Sequence, residues 1–351
     1  MSFKRVWILF VARNREFFRD KASFGWNFIF PFLIVIGFGL IFGQEDKAEY
    51  KIGIFPSTTA GKISRDNPLI PDKLKKAKFV EYISFNNFDN GIDKLKHHKI
   101  DLLLKKEGDS YNFWVSNTSP KGYIVEKIMQ TSLIPDIINK YGGKRNEIDG
   151  DQISYLDWLF PGIIGMNLMF SALWGVGYIV VRYRKNGVLK RLKATPLTSF
   201  EYLSSQMLSR IFIMMFMVIV IWTGGNIIFS FDVKGSFLTL LFIFFTGSLS
   251  MCALGLVIAS RGTNEELTSG VINFLCWPMM FLSEVWFSIE GAPEWLIYFA
   301  KIFPLTHMLT GARKVMNDGA TFFDVLPEIS ILLVMTLVFL LVGSYLFSWN
   351  E

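Results

Sequence analysis

Chemistry-bearing residues are scarce in this chain. Its 351 residues include 2 cysteines and 3 histidines. Cys252 and Cys276 lie inside apolar runs, where thiols read as packing groups, so no disulfide framework supports any region. His97 and His98 close a helical pattern, where positive charge suits the helix dipole, and they read as that rather than as a metal pair. No GxxxxGK(S/T) loop occurs, so this phosphate cradle is missing and a step driven by ATP would fall to another chain. Lys, Arg, Asp and Glu are absent from six stretches: Phe24–Gly43, Trp158–Val181, Ile211–Phe231, Phe237–Ser260, Leu267–Ser283 and Ile329–Trp349. Catalysis needs paired acids and bases or a metal set, and these stretches hold neither, which argues against a membrane enzyme. Glu284 and His307, outside them, read as packing or capping groups.

What is present is apolar surface. Hydrophobic residues make up 51% of the chain and mean hydropathy is +0.36. A bilayer crossing needs about 20 such residues. The six stretches therefore predict an α-helical polytopic membrane protein with six transmembrane helices; the fifth is short and holds Pro278. The net charge of +6 is unevenly spread, concentrated before the first stretch and in the segment 182–210. Positive charge beside membrane spans fixes those segments on the cytoplasmic side, so topology rather than nucleic-acid binding explains the basic pI. Both termini are then cytoplasmic, and the segments 44–157 and 284–328 lie outside. The first stretch is expected to be a retained span: a basic region of over 20 residues precedes it and no small-x-small site follows.

Residues 1–23 mix Val6, Trp7, Phe10, Val11, Phe17 and Phe18 with six bases, which predicts an amphipathic helix lying in the membrane interface. Residues 24–43 are the first span, and Pro31 is expected to kink it. Residues 44–157 change character. Tyr50–Phe55, Phe79–Phe85, Ile100–Leu104 and Tyr111–Val115 read as strands. Phe88, Ile92 and Leu95 fall at helical spacing, and Lys121–Lys140 reads as helix. Strands alternating with helices predict a small extracytoplasmic α/β domain between spans one and two, long enough to bury its own core. Residues 158–351 hold the other five spans.

The most patterned segment is Arg182–Tyr202, RYRKNGVLKRLKATPLTSFEY. Val188, Leu189 and Leu192 share one face of a short helix, with Lys190, Arg191 and Lys193 around it. Pro196 ends that helix at Thr195. Thr198 and Glu201 form a capping box that starts the next one. The apolar stripe is narrow and expected to stay exposed unless a partner covers it, so it reads as a docking element. Thr263 and Glu266 form a second expected capping box. Trp286–Phe303 is aromatic but too broken to span, which fits short helices dipping into the outer leaflet.

These segments resemble a known family. Lys185–Leu203 is similar to the cytoplasmic loop of ABC-2-type transporter permeases, Thr263–Phe287 to their fifth span, and Gly291–Gly319 to their external helical hairpin. The domain between spans one and two resembles that of the subfamily with a large extracytoplasmic insert. The resemblance implies the membrane subunit of an ABC exporter, paired with a second permease, identical or paralogous, and with two ATP-binding subunits. ATP and Mg would bind in those partners, and this chain would need no cofactor. Lipids, glycolipids, peptides or drugs would be the cargo. Gly187, Val188, Leu189, Lys190, Arg191, Leu192, Thr195 and Pro196 would form the coupling helix and its end. Pro293, Pro304, Leu305, Thr306 and Arg313 would mark the external hairpin. Such permeases usually carry an acid near the start of the loop helix, where this chain has Lys185-Asn186. The localisation implied is a bacterial inner or plasma membrane, with membrane lipids around the spans. A competing reading is a membrane-anchored sensor acting through residues 44–157, which would need a cytoplasmic output domain.

Overall fold

The computed structural model describes residues 3–42, 50–55, 61–75, 77, 79–97, 99–107, 110–133, 155–229, 233–260, 262 and 264–346. Two compact units emerge: Met1–Gly43 with Gln152–Glu351, and Gln44–Asp151.

The larger unit begins with α1 (Phe3–Arg19) and α2 (Lys21–Phe42). α1 is amphipathic: Val6 and Phe17 are buried, while Phe3, Trp7 and Ile8 are exposed. Asp20 starts the second helix, accepting from Ala22 N at 3.1 Å. α2 runs through Pro31.

In the smaller unit, β1 (Tyr50–Phe55) is central. β2 (Gly61–Lys62), α3 (Asp72–Lys75), β3 (Val80–Ser84), α4 (Phe88–Lys96), β4 (Leu102–Glu107), β5 (Ser110–Val115) and α5 (Pro120–Leu133) follow. The sheet order is β2-β3-β1-β4-β5. β1 pairs in parallel with β3 and β4, and the two edge strands are antiparallel. Strand periodicity sends alternate residues to opposite faces. Ile52, Ile54, Leu102 and Leu104 meet Leu74, Val125 and Met129 on one face. Leu103 meets Leu95 and Ile100 on the other. Gly53 belongs to the second face, where a Cβ would come within 2.7 Å of Ile100 Cδ1. Tyr82 is buried, donates to Leu74 O at 2.7 Å, and has its pKa pushed up to about 12 by that burial. The four expected strands and both helices are found. The last helix is described to Leu133; the rest of the expected 121–140 stretch lies outside the described residues, as does His98. His97 caps α4, its Nδ1 2.8 Å from Asp93 O and 3.3 Å from the Asp93 carboxylate. Among the described residues no group of three or more metal-ligating side chains assembles.

The remaining elements return to the larger unit. α6 (Tyr155–Lys185) is interrupted by a π-helical stretch, Leu173–Tyr178. Residues 155–157, expected to end the external domain, are its first turn. α7 (Val188–Lys193) is short, and α8 (Ser199–Phe229) and α9 (Phe237–Ala259) are long. α10 (Glu265–Leu282), α11 (Glu294–Ala300), α12 (Pro304–Asp318) and α13 (Leu326–Leu346) complete the chain. Among the described residues four helices are long and apolar enough to cross a membrane: α6, α8, α9 and α13. The α1–α2 pair, bent by 60°, counts as a fifth if taken as one span. The sequence expects six. The remaining difference lies in α10, whose 18 residues are long enough by the same measure but not apolar enough. Two of those residues are Glu265 and Glu266, in its first turn. Its start also differs from expectation: Asn264 is the N-cap, accepting from Glu266 N at 2.8 Å and Leu267 N at 3.3 Å. With Asn264 as the cap, Glu266 stands one position too early to complete a box, and Thr263, the expected cap, lies outside the described residues.

Candidate functional site

The loop between α6 and α8 is a folded structure. Gly187 turns the chain with φ 65°, a left-handed geometry that disfavours a side chain, and caps α7. The helix stops at Lys193; Thr195 N and Oγ1 both reach Leu192 O, at 3.0 and 2.6 Å. Thr198 and Glu201 then satisfy each other reciprocally. Thr198 N donates to Glu201 Oε2 at 3.0 Å, and Glu201 N donates to Thr198 Oγ1 at 3.2 Å. That is the expected capping box, and it sets the first turn of α8.

One expectation about this loop is overturned. The stripe is not left open for a partner. Leu189 is fully buried among Val180, Val181, Tyr202 and Ala259 of its own chain, and Leu192 packs at the edge of that cluster. A six-residue helix has almost no stability of its own, so its apolar side is spent holding it to the spanning helices. What remains outward is polar: Lys190, Arg191, Lys193, Thr195 and Pro196 are exposed, and Val188 is half-buried.

Three further contacts brace the loop. Arg5 of α1 donates to Pro196 O and lies 3.8 Å from the Glu201 carboxylate. Arg13 pairs with Glu16 at 2.7 Å and lies 4.0 Å over the Tyr183 ring, whose hydroxyl also bonds Glu16 at 2.8 Å. Arg184, read from sequence as a topology charge, is buried and donates to the carbonyls of Ala259 (2.9 Å), Ser260 (3.2 Å) and Gly262. It supplies donors to the carbonyl of the last residue of α9 and to those of the turn that follows, where no helical partner is available. At the start of α10, the Tyr178 hydroxyl donates to Glu265 at 2.9 Å and Lys185 stands 3.5 Å away. That hydrogen bond, with Lys185 beside it, holds the Glu265 carboxyl below its usual range.

The segment 284–328 forms two short helices, as expected. Glu284 opens it at φ 60°, unusual for a residue with a side chain. Its carboxylate accepts from Ile289 N at 3.0 Å, and Arg313 lies 3.4 Å from it while also donating to its carbonyl. The Arg313 guanidinium stacks 3.8 Å over Trp158 of α6. Pro293 caps α11 and Pro304 is the first residue of α12. Leu305 is fully buried. Thr306 Oγ1 donates to Ala300 O at 2.6 Å and meets Ser283 Oγ at 2.9 Å. His307 Nε2 lies 2.7 Å from Lys301 O. These contacts hold the turn at Glu284 and the joint between α11 and α12 in place. Asp324, beyond α12, accepts from Thr321 Oγ1 at 2.7 Å and N at 2.8 Å, and its carboxyl is held low by them.

The profile described as ABC-2 family transporter protein matches residues 21–345. YbhR of Escherichia coli K12, named a probable multidrug ABC transporter permease, is 24% identical over 185 residues, 52% of this chain and 50% of YbhR. YvfS of Bacillus subtilis, named as a transport permease, is 26% identical over 185 residues, 51% of this chain and 72% of YvfS. DrrB1 of Streptomyces coeruleorubidus, named a daunorubicin resistance ABC transporter permease protein, is 32% identical over 93 residues, 26% of this chain and 31% of DrrB1. The match thus spans about half of YbhR and less of DrrB1. With its profile match running from residue 21 to 345, this chain belongs to the ABC-2 family of transporter proteins.

Proposed function

We propose that the chain is the permease subunit of an ATP-driven exporter, coupled through the loop 182–210 to a separate ATP-binding subunit in which ATP and Mg reside. It pairs with a second permease, and its spanning helices form the path for a lipid-like, glycolipid, peptide or drug cargo. In this reading α10 is the remaining crossing, giving six spans. Residues 44–157 and the 284–328 hairpin are extracytoplasmic and both termini are cytoplasmic. Neither a cofactor nor a catalytic group of its own is required.

The observation that carries the reading is the seating of α7. Leu189 fixes it from below and Arg5 fixes the chain beyond it, so a push on its outer face is passed to α6, α8 and α1 together. Lys190, Arg191 and Lys193 face outward and would steer an acidic surface. The test is co-purification with the ATP-binding subunit, identified by mass spectrometry, from membranes of the native host. Reversing Lys190, Arg191 and Lys193 to Glu is expected to cut its recovery severalfold at low salt, and less at high salt. Full recovery with the triple reversal, or ATP turnover by the purified chain alone, would refute the assignment.

A further inference from the structure

A cavity of about 910 Å³ lies within the larger unit, between α1, α2, α6, α8 and α10. Its two ends differ. Arg13, Glu16, Asp20 and Arg182 line one end, where α1 meets the loop-side turn of α6. Trp26, Phe30, Phe170, Trp277 and Phe281 line the rest. Between them stands Arg210. It is the twelfth residue of α8, so it lies about 17 Å from the helix start at 1.5 Å per residue. The next residue opens a charge-free run, Ile211–Phe229. A cation at this depth costs a few kcal/mol unless something compensates for it, and such a residue marks a functional site by default.

The fold makes room for this one cation. Arg210 Nε donates to Ser171 O at 2.6 Å, just before the π-helical stretch. Its guanidinium lies against Gly175, inside that stretch, so closely that a Cβ at Gly175 would overlap it. π-helical turns occur mostly where function requires them. The Phe17 ring is 5.7 Å away. Among the described residues no carboxylate pairs with Arg210. Glu16 is engaged by Arg13 and Tyr183, and Asp20 accepts from Ala22 N at the start of α2. Arg210 also lines the cavity, and its hydrogen bond to Ser171 uses Nε, not the two terminal nitrogens of the fork. A planar fork of this kind matches a phosphate or carboxylate better than any other partner.

We propose that Arg210 is the anchoring residue of an internal binding site for an amphiphile with an anionic head, phosphate or carboxylate, and an apolar body. The head meets Arg210 with Arg182 nearby, and the body lies against Trp26, Trp277 and Phe281. This deepens, and rests on, the permease reading, in which a cavity between spanning helices is a place a passing ligand occupies.

Binding is tested on the full chain purified into phosphatidylcholine nanodiscs, by quenching of intrinsic tryptophan fluorescence. Dodecyl phosphate, dodecyltrimethylammonium and inorganic phosphate are the probes. One charge-assisted contact corresponds to roughly a 10- to 100-fold preference for dodecyl phosphate over dodecyltrimethylammonium. Arg210→Gln is expected to abolish that preference. Gly175→Ala, which keeps the charge but displaces it, should reduce it. Equal binding of the two amphiphiles by the wild type overturns the proposal whether or not either variant folds. A folded Arg210→Gln protein that keeps the preference also overturns it. Inorganic phosphate competing as tightly as dodecyl phosphate would show a free-anion site and overturn the amphiphile assignment. No ATP-binding subunit is present in the assay. Lost binding with intact ATPase association therefore strikes this inference alone, and intact binding without that association strikes only the permease reading.

Discussion

Leu189 separates two accounts of the coupling loop that make opposite predictions. If it projects into a partner, Leu189→Ala should weaken ATPase recovery and leave the loop itself unchanged. The structure buries it completely among Val180, Val181, Tyr202 and Ala259. Truncating a buried leucine costs about 2–5 kcal/mol, and more where the surroundings cannot collapse. Here they belong to long helices held elsewhere, so the cavity should persist. The loss falls on α7, a helix of 6 residues that does not fold unaided. A loss of about 3 kcal/mol raises the undocked population roughly 150-fold. Hydrogen exchange on peptides covering 186–196, in nanodiscs without the partner, reads this directly. Protection is expected to fall about two orders of magnitude in Leu189→Ala. Leu189→Met, a volume-conserving swap costing less than about 1.5 kcal/mol, should stay close to wild type. Unchanged exchange in Leu189→Ala, together with lost ATPase recovery, would refute the packing argument and restore the exposed stripe.

Other expectations follow from the same geometry. Arg184→Gln leaves the carbonyls of Ala259, Ser260 and Gly262 without their charged donor. It should lower the melting temperature of the purified chain more than Lys190→Ala does, since hydrogen bonds to charged groups contribute about 1.5–3 kcal/mol each; equal melting of the two variants would remove the capping role. Residues 44–151 expressed alone should melt cooperatively with mixed α/β circular dichroism, because the sheet carries apolar clusters on both faces; a disordered spectrum would show that the unit depends on the rest of the chain. For topology, an impermeant thiol reagent on intact cells should label Lys121→Cys and Thr321→Cys but not Lys193→Cys, all three positions being exposed; the reverse pattern would invert the orientation.

Local signals were legible where a residue's role is set by its immediate neighbours. β1 was expected at Tyr50–Phe55 and occurs there, because β-branched and aromatic residues alternate across a buried sheet. The Thr198–Glu201 box was equally readable, since both partners lie within one turn. β2, with 2 residues, carries too little pattern to be seen, and its pairing with β3 joins Gly61 to Ser84 and Lys62 to Ile83, far along the chain. Asn264 and Thr263 can each cap, and only the helix start decides between them.

Charge is less legible than either. Counting bases between two apolar runs treats them alike, as solvated markers of the cytoplasmic side. Arg182, Lys185, Lys190, Arg191 and Lys193 are exposed and fit that description. Arg184 and Arg210 do not, because they bond the carbonyls of α9 and Ser171. A physical signal for Arg210 was nonetheless present. Once Thr198 and Glu201 fix the first turn of α8, nothing between Ser199 and Arg210 breaks the helix: there is no proline or glycine in that interval. Arg210 must then stand about three turns along a helix that continues into the apolar run, where it cannot be a loop charge. The second half of the signal is Gly175. A glycine within a helix is unfavourable by roughly 1 kcal/mol relative to alanine, so its presence asks what approaches it. The Arg210 guanidinium does, at a distance no Cβ would tolerate. Neither residue is informative alone. Taken together they place a cation inside the helical unit, beside a cavity large enough for a ligand, and that juxtaposition could not be seen until α6 and α8 were set side by side.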